Sequence, residues 1–244
     1  MNELEAGAAT PRTVDAGRGL SWWSEAWALF MKNPGMWIVL ALITIVIFVV
    51  LGVIPFLGAI ASALLWPVFS GGWLLAARKV EGGGALEVGD LFAGFKDKLT
   101  PLLVIGALLL AAGFVTFLVA GVLGFGAVMG AIASGTQGSA GGMMAAMGAG
   151  MLALLVALAL GLLIAMAVWF APALVVFDNV APVEALKISF AACLKNIVPF
   201  LLYGIIYLVA AIVASIPVGL GWIVLIPLVL LTAYTSYKDV FGAA

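Results

Sequence analysis

Three stretches without a charged side chain, 33–77, 99–177 and 196–237, occupy most of this 244-residue chain. A bilayer is crossed by about 20 predominantly apolar residues, so each stretch is too long for one span, and each carries an internal breaker. Ile54-Pro55-Phe56-Leu57-Gly58 divides the first, Ser215-Ile216-Pro217-Val218-Gly219 the third, and the Gly/Ala/Met-rich stretch 124–150 the second. Proline ends or kinks a helix because it lacks the donor and crowds the preceding turn. The expected spans are 37–54, 58–77, 101–123, 151–176, 197–215 and 218–235. They are apolar on every face with no alternation, which suits helices and not a barrel. The predicted fold is therefore all-α and polytopic: six transmembrane helices as three hairpins, one domain over 21–244 after a flexible tail at 1–20.

Composition excludes several kinds of chemistry. With no His and one Cys, the chain cannot build a Cys/His metal cluster, a Ser-His-Asp triad or a disulfide framework. Ten basic residues against eleven acidic ones leave no footprint for nucleic acid. Residues 1–20 mix three acids and two Arg among small residues, with no apolar core and cleavage site, so no signal peptide is expected. All ten basic residues, from Arg12 and Arg18 to Lys238, fall on one side of a six-span arrangement, as do the acids. The positive-inside rule then predicts an inner-membrane protein with both termini cytoplasmic.

The chain also repeats itself. Before each hairpin an amphipathic segment ends in a basic residue and then a proline: Trp27 to Lys32-Asn33-Pro34, Leu91 to Lys98-Leu99-Thr100-Pro101, and Phe190 to Lys195-Asn196-Ile197-Val198-Pro199. Hairpins one and three share Ile-Pro at the turn and a second proline eleven residues before a basic one, Pro67 to Arg78 and Pro227 to Lys238. The hairpin exits read Arg78-Lys79-Val80, Asp178-Asn179-Val180 and Lys238-Asp239-Val240. The matched spacing points to triplication. In the first lead-in Ser21 is the expected N-cap, and Trp23, Trp27 and Phe30 share a face. In the second, Asp90 is the expected cap for Leu91, Phe95 and Leu99; in the third, Pro182 opens a helix whose stripe is Val183, Leu186, Phe190 and Leu194. Such helices either lie in the headgroup plane or pack beneath the bundle on the cytoplasmic side.

The stretch Ala171-Pro172-Ala173-Leu174-Val175-Val176-Phe177, through Pro182-Val183-Glu184-Ala185-Leu186-Lys187-Ile188-Ser189-Phe190, to Asn196-Ile197-Val198-Pro199-Phe200-Leu201 resembles a family of uncharacterised six-span bacterial inner-membrane proteins. Gly89 to Phe95 and Tyr234 to Phe241 match the same pattern. More distantly, the Pro182 to Ser189 core is similar to the membrane domain preceding some glycerophosphodiester phosphodiesterases. The resemblance implies architecture and brings no catalytic residues, because the soluble catalytic barrel of those enzymes has no counterpart in this sequence.

Charge inside a bilayer is costly and usually functional, and the six predicted cores hold none, which disfavours proton- or ion-coupled transport. Pro67 with Gly71-Gly72, Pro172 and Pro227 mark either broken helices that bind an ion through backbone carbonyls or simple packing kinks. Arg78, Lys79, Lys96, Lys98, Lys187 and Lys195 are candidate contacts for anionic lipid headgroups or for a protein partner. Asp178, Asn179 and Glu184 are a candidate polar interfacial cluster, or simply a capped helix exit. Small residues recur at every fourth place from Gly126 through Gly130, Ser134, Gly138, Gly142, Ala146 and Gly150, either as a helix-packing groove or as a Gly-rich loop with a turn at Gln137 and Ser139. Tyr203 and Tyr207 share a face and either bond across the bundle or pack in its core, and Cys193 reads as an inert thiol.

No catalytic, metal or cofactor constellation emerges. The expected role is a non-catalytic scaffold or envelope-organising component of the bilayer, working through its charged cytoplasmic face. The alternative is a carrier or channel for a neutral or lipidic solute. An enzyme would need carboxylates or lysines gathered round one cavity at that face.

Overall fold

The computed structural model describes residues 10–96, 98–136 and 138–242. Residues 1–9 of the expected tail, Asp97 of the second lead-in and the proposed turn residue Gln137 lie outside the described residues. The elements are α1 (Arg18–Met31), α2 (Pro34–Val53), α3 (Leu57–Glu81), a 3₁₀ helix (Val88–Phe95), α4 (Leu99–Ala133), α5 (Ala140–Trp169), α6 (Ala171–Phe177), α7 (Pro182–Lys195), α8 (Ile197–Ser215) and α9 (Trp222–Phe241). Six apolar stretches are long enough to cross a bilayer, the fourth running through α5 and α6. The protein is an all-α, multi-pass membrane protein.

Helix ends depart from the expected ones where charge alone had marked them. α3 and α9 continue through Arg78-Lys79 and Lys238-Asp239, because long charged side chains let a helix pass from hydrocarbon into the headgroup zone without unwinding. α9 starts at Trp222 rather than 218, since Val218 (φ 55°) and Gly219 (φ 81°) form the turn. α4 runs to Ala133 and α5 begins at Ala140, so most of 124–150 is helix and the turn is only 134–139. α4 alone is about 52 Å long at 1.5 Å per residue.

The chain forms two compact units, 1–107 with 166–244, and 108–165. In the second unit, a Cβ added to Gly126, Gly130 or Gly150 would meet nothing within 4 Å, whereas one at Gly142 would meet the Thr136 carbonyl oxygen at 2.0 Å. The turn is held by Ser139, whose hydroxyl accepts from the Gly142 N–H at 3.1 Å and donates to the Thr136 carbonyl at 2.7 Å.

In the first unit, α3 and α9 are the most buried spans, and α2 and α8 turn most of their surface outward. Trp73 stacks on Trp37 with centroids 5.5 Å apart and donates to Thr44 at 3.3 Å. Tyr203 is buried against α9, where its hydroxyl pairs with Thr232 at 3.1 Å; Tyr207 is only half-buried. A polar group in hydrocarbon must find its partner within the protein, and these do.

The three lead-ins follow one rule. Each packs against the last helix of the preceding hairpin: the 3₁₀ helix on α3, α7 on α6, and α1 on α9 and α8, which closes the cycle. This recurrence is what a triplicated unit produces. Small residues make the approach close. A Cβ at Gly72 would lie 2.1 Å from the Leu91 carbonyl oxygen, and one at Gly19 would lie 2.1 Å from that of Pro199. α7 presents Ala185, Ser189, Ala192 and Cys193 inward.

The apolar stripes of the lead-ins are only partly buried. In α1, Trp22, Ala26, Leu29 and Phe30 are buried while Trp27 is exposed, and Ser21 lies inside a helix that Gly17 begins. In α7, Val183 and Leu194 are exposed. In the 3₁₀ helix, Glu87 occupies the cap position and exchanges hydrogen bonds with Asp90.

Pro172 breaks the fourth span by removing the donor its helix would use there. Ser189 repairs the rung beside the break. The Phe170 N–H donates to its Oγ at 2.9 Å, and the Ser189 hydroxyl donates in turn to the Met166 carbonyl at 2.8 Å. The break is thus filled by a side chain from α7. Pro67 and Pro227 lie within continuous helices.

Gly72→Ala, which drives a methyl against the Leu91 backbone, is expected to cost about 1–3 kcal/mol as an overpacking change. Gly89→Ala, whose Cβ meets nothing within 4 Å, should leave the melting temperature in detergent nearly unchanged. Equal melting temperatures for the two variants would contradict the close approach.

Candidate functional site at the charged end

Where α1, α3 and α9 meet at the charged end, a cleft of about 340 Å³ is lined by Arg18, Glu25, Leu29, Glu81, Thr235, Lys238 and Asp239. Asp239 is its anchor. Its Oδ2 accepts from Arg18 Nε at 2.5 Å and from Trp22 Nε1 at 2.9 Å. The Arg12 guanidinium stands 3.7 Å from Oδ1. Arg18 also reaches Glu25 at 2.8 Å. Across the cleft, Lys238 donates to both oxygens of Glu81 at 2.8 and 2.9 Å, and the Tyr234 hydroxyl donates to Glu81 at 2.6 Å. The hydrogen bond to Asp239 outweighs desolvation and raises the Arg18 pKa further above its ordinary value, so Arg18 stays a cation throughout.

The expected tail is also part of this end from residue 10 onward. The Arg12 N–H donates to the Val240 carbonyl at 2.9 Å. Buried Asn196 accepts from the Val14 N–H at 2.9 Å and donates to the Arg12 carbonyl at 3.0 Å. Lys195 donates to the Pro11 carbonyl at 2.8 Å. Residues 11–14 are thereby strapped between the start of α8 and the end of α9.

The six candidate cations divide into two kinds. Lys79 pairs with Asp90 at 3.0 Å, Lys187 with Glu184 at 3.3 Å, and Lys195 with the Pro11 carbonyl. Arg78 instead lies over the Phe177 ring, 5.2 Å from its centroid. Lys98 donates to the side-chain oxygen of Asn179, a neutral partner. Lys96 is exposed, and no ion pair joins Arg78, Lys96 or Lys98 to a carboxylate among the described residues.

The expected Asp178, Asn179 and Glu184 cluster does not form as a unit. Asp178 accepts from the Tyr237 hydroxyl at 2.6 Å, Asn179 (φ 57°) turns the chain and meets Lys98, and Glu184 sits on α7 with Lys187. Arg18, Glu25, Glu81, Lys238 and Asp239 were not expected to share a site, because partners such as Arg18 and Asp239 lie 221 residues apart. The only hint was the repeated exit signature, which places Lys238-Asp239 level with Arg78-Lys79.

The chain is 28% identical over 215 residues to a Burkholderia thailandensis protein named "Probable inner membrane protein", a match covering 83% of this chain and 76% of that one. No family model matches the sequence, and no solved structure matches the fold.

Two outcomes test this end of the molecule. Asp239→Ala removes the partner of Arg18 and Trp22 and is expected to cost about 1–2 kcal/mol in thermal unfolding, a value discounted because Arg18 is one-third exposed. Cys193, buried against the Met166 carbonyl, has its thiol pushed up to about 12 by desolvation. At pH 8 its alkylation should run at least ~100-fold slower than that of a free thiol. A rate near that of free cysteine would refute its burial.

Proposed function

We propose that this protein is a non-catalytic scaffold of the bacterial inner membrane, with the charged end and both termini in the cytoplasm. The observation that carries the reading is the use made of charge. Around the cleft Arg18 is neutralised by Asp239 and Glu25, and Lys238 by Glu81, so these groups clamp helices together instead of presenting a lone acid, base or nucleophile. A rigid charged platform on an apolar bundle suits docking of a partner. The name of the Burkholderia relative supports the inner membrane, and the one-sided basic residues support a cytoplasmic platform. The outer faces of α1 and α7, with Trp27, Met31, Val183 and Leu194 exposed, favour a position in the headgroup plane. The distant likeness to phosphodiesterase membrane domains enters as architecture alone.

A photocrosslinking residue placed in the 82–98 segment or the 178–196 segment should capture the same protein partner repeatedly from native membranes. Capture of none from either segment, together with solute flux in proteoliposomes, would replace the scaffold by a carrier.

A further inference from the structure

We infer that Arg78 and Lys98, with Lys96 beside them, bind the phosphate of an anionic lipid headgroup at the charged end of α3 and α4. The inference concerns lipid alone and does not depend on the scaffold reading.

Seven of the ten basic residues are already engaged. Arg12 and Arg18 serve Asp239, Lys79 serves Asp90, Lys187 serves Glu184 and Lys238 serves Glu81. Lys32 donates to the Val80 and Glu81 carbonyls, capping α3, and Lys195 holds the strap at Pro11. The other three come from one short part of the chain, between the last turn of α3 and the first residue of α4.

The fold brings two of them to one place. Arg78 covers the ring of Phe177, and Lys98 contacts Asn179, two residues along the same segment. The helices behind them are tightly registered: a Cβ at Gly71 of α3 would meet Leu102 of α4 at 2.8 Å and Val176 of α6 at 3.3 Å. Arg78 lies over the Phe177 ring and is exposed, and a guanidinium so placed carries N–H donors in a planar fork that matches a phosphate. The neighbouring carboxylate, Asp178, is occupied by the Tyr237 hydroxyl. Among the described residues no carboxylate pairs with Arg78 or Lys98, and exposed Lys96 is a further cation beside them. The cleft beside Arg18 and Lys238 lacks this quality, because both its cations already hold carboxylates.

Position selects the lipid over free phosphate. Lys98 immediately precedes α4, and Arg78 lies one turn from the end of α3, so both stand where a span leaves hydrocarbon. Phe92 and Val104 nearby in the chain are exposed apolar residues that suit acyl chains. A basic residue at this depth attracts an anionic headgroup with about a fivefold gain in affinity.

The test is native mass spectrometry of the full chain, titrated with phosphatidylglycerol and, separately, phosphatidylcholine. The wild type should prefer phosphatidylglycerol. Arg78→Gln and Lys98→Gln should each weaken phosphatidylglycerol about fivefold, with Arg78→Lys intermediate and Lys187→Gln near wild type. If Arg78→Gln fails to fold by circular dichroism, Lys98→Gln carries the test. Equal affinity for the two lipids, or an equal loss in Lys187→Gln, would overturn the site. Displacement of phosphatidylglycerol by inorganic phosphate at constant ionic strength would overturn the lipid assignment.

Discussion

One carboxylate joins the two ends of the chain. Asp239, near the end of α9, receives Arg18 and Trp22 from α1, and through that contact the first lead-in helix is fixed to the last hairpin. Without it the cyclic rule of the fold would be weakened: the 3₁₀ helix would still seat on α3 and α7 on α6, but α1 would keep only apolar contact, the Thr235 hydroxyl on the Trp22 carbonyl and the strap at residues 11–14 to hold it to α8 and α9. Apolar contact is a weak guide at a membrane boundary, because lipid competes for the same surfaces. An ion pair with an indole hydrogen bond is directional, and it sets the register of α1 along α9.

The same need for direction explains the small residues under each lead-in. Hydrogen bonds between helices require backbones to come near one another, and any Cβ at Gly19 or Gly72 would prevent that. Close approach then lets a short side chain act across the gap. Ser189 is the clearest instance, because its single hydroxyl accepts from Phe170 and donates to Met166, restoring the helix rung beside Pro172. The sequence alone left open whether this break is a packing kink or an ion site; in the structure the rung beside it is closed by a side chain of the protein.

Much of this was legible in the sequence, and the limits have physical causes. The spans, their hairpin grouping and the lead-ins follow from charge-free length and from proline position, both local properties. The ends of α3 and α9 were set too early because hydropathy reports the solvent, whereas the helix follows its own backbone hydrogen bonds through Arg78 and Lys238. Which face of α1 and α7 turns inward was left open, because at a membrane boundary an apolar stripe can face either lipid or protein. Here lipid is available on the outside, so Val183 and Leu194 can face outward while Ala185 and Ser189 make the close contact. The cleft around Asp239 was out of reach for a simpler reason: its parts come from opposite ends of the chain.

The division among the cations follows from the same boundary. A charge at the edge of hydrocarbon is stabilised by whatever counter-charge is near, and protein carboxylates supply it for most of these residues. Eleven acids against ten bases could in principle neutralise every one. Among the described residues they do not: Asp239, Glu81 and Asp90 are used where helices are tied, and Asp178 accepts from Tyr237. Among the described residues, the cations with neither a carboxylate nor a backbone carbonyl as partner are Arg78, Lys96 and Lys98, on the connection into the second hairpin. The first and third hairpins are bound to each other by Asp239 to Arg18 and by Glu81 to Lys238. At the exit of the second, Arg78 and Lys98 meet an aromatic ring and a neutral amide, which is why the anionic lipid is proposed there.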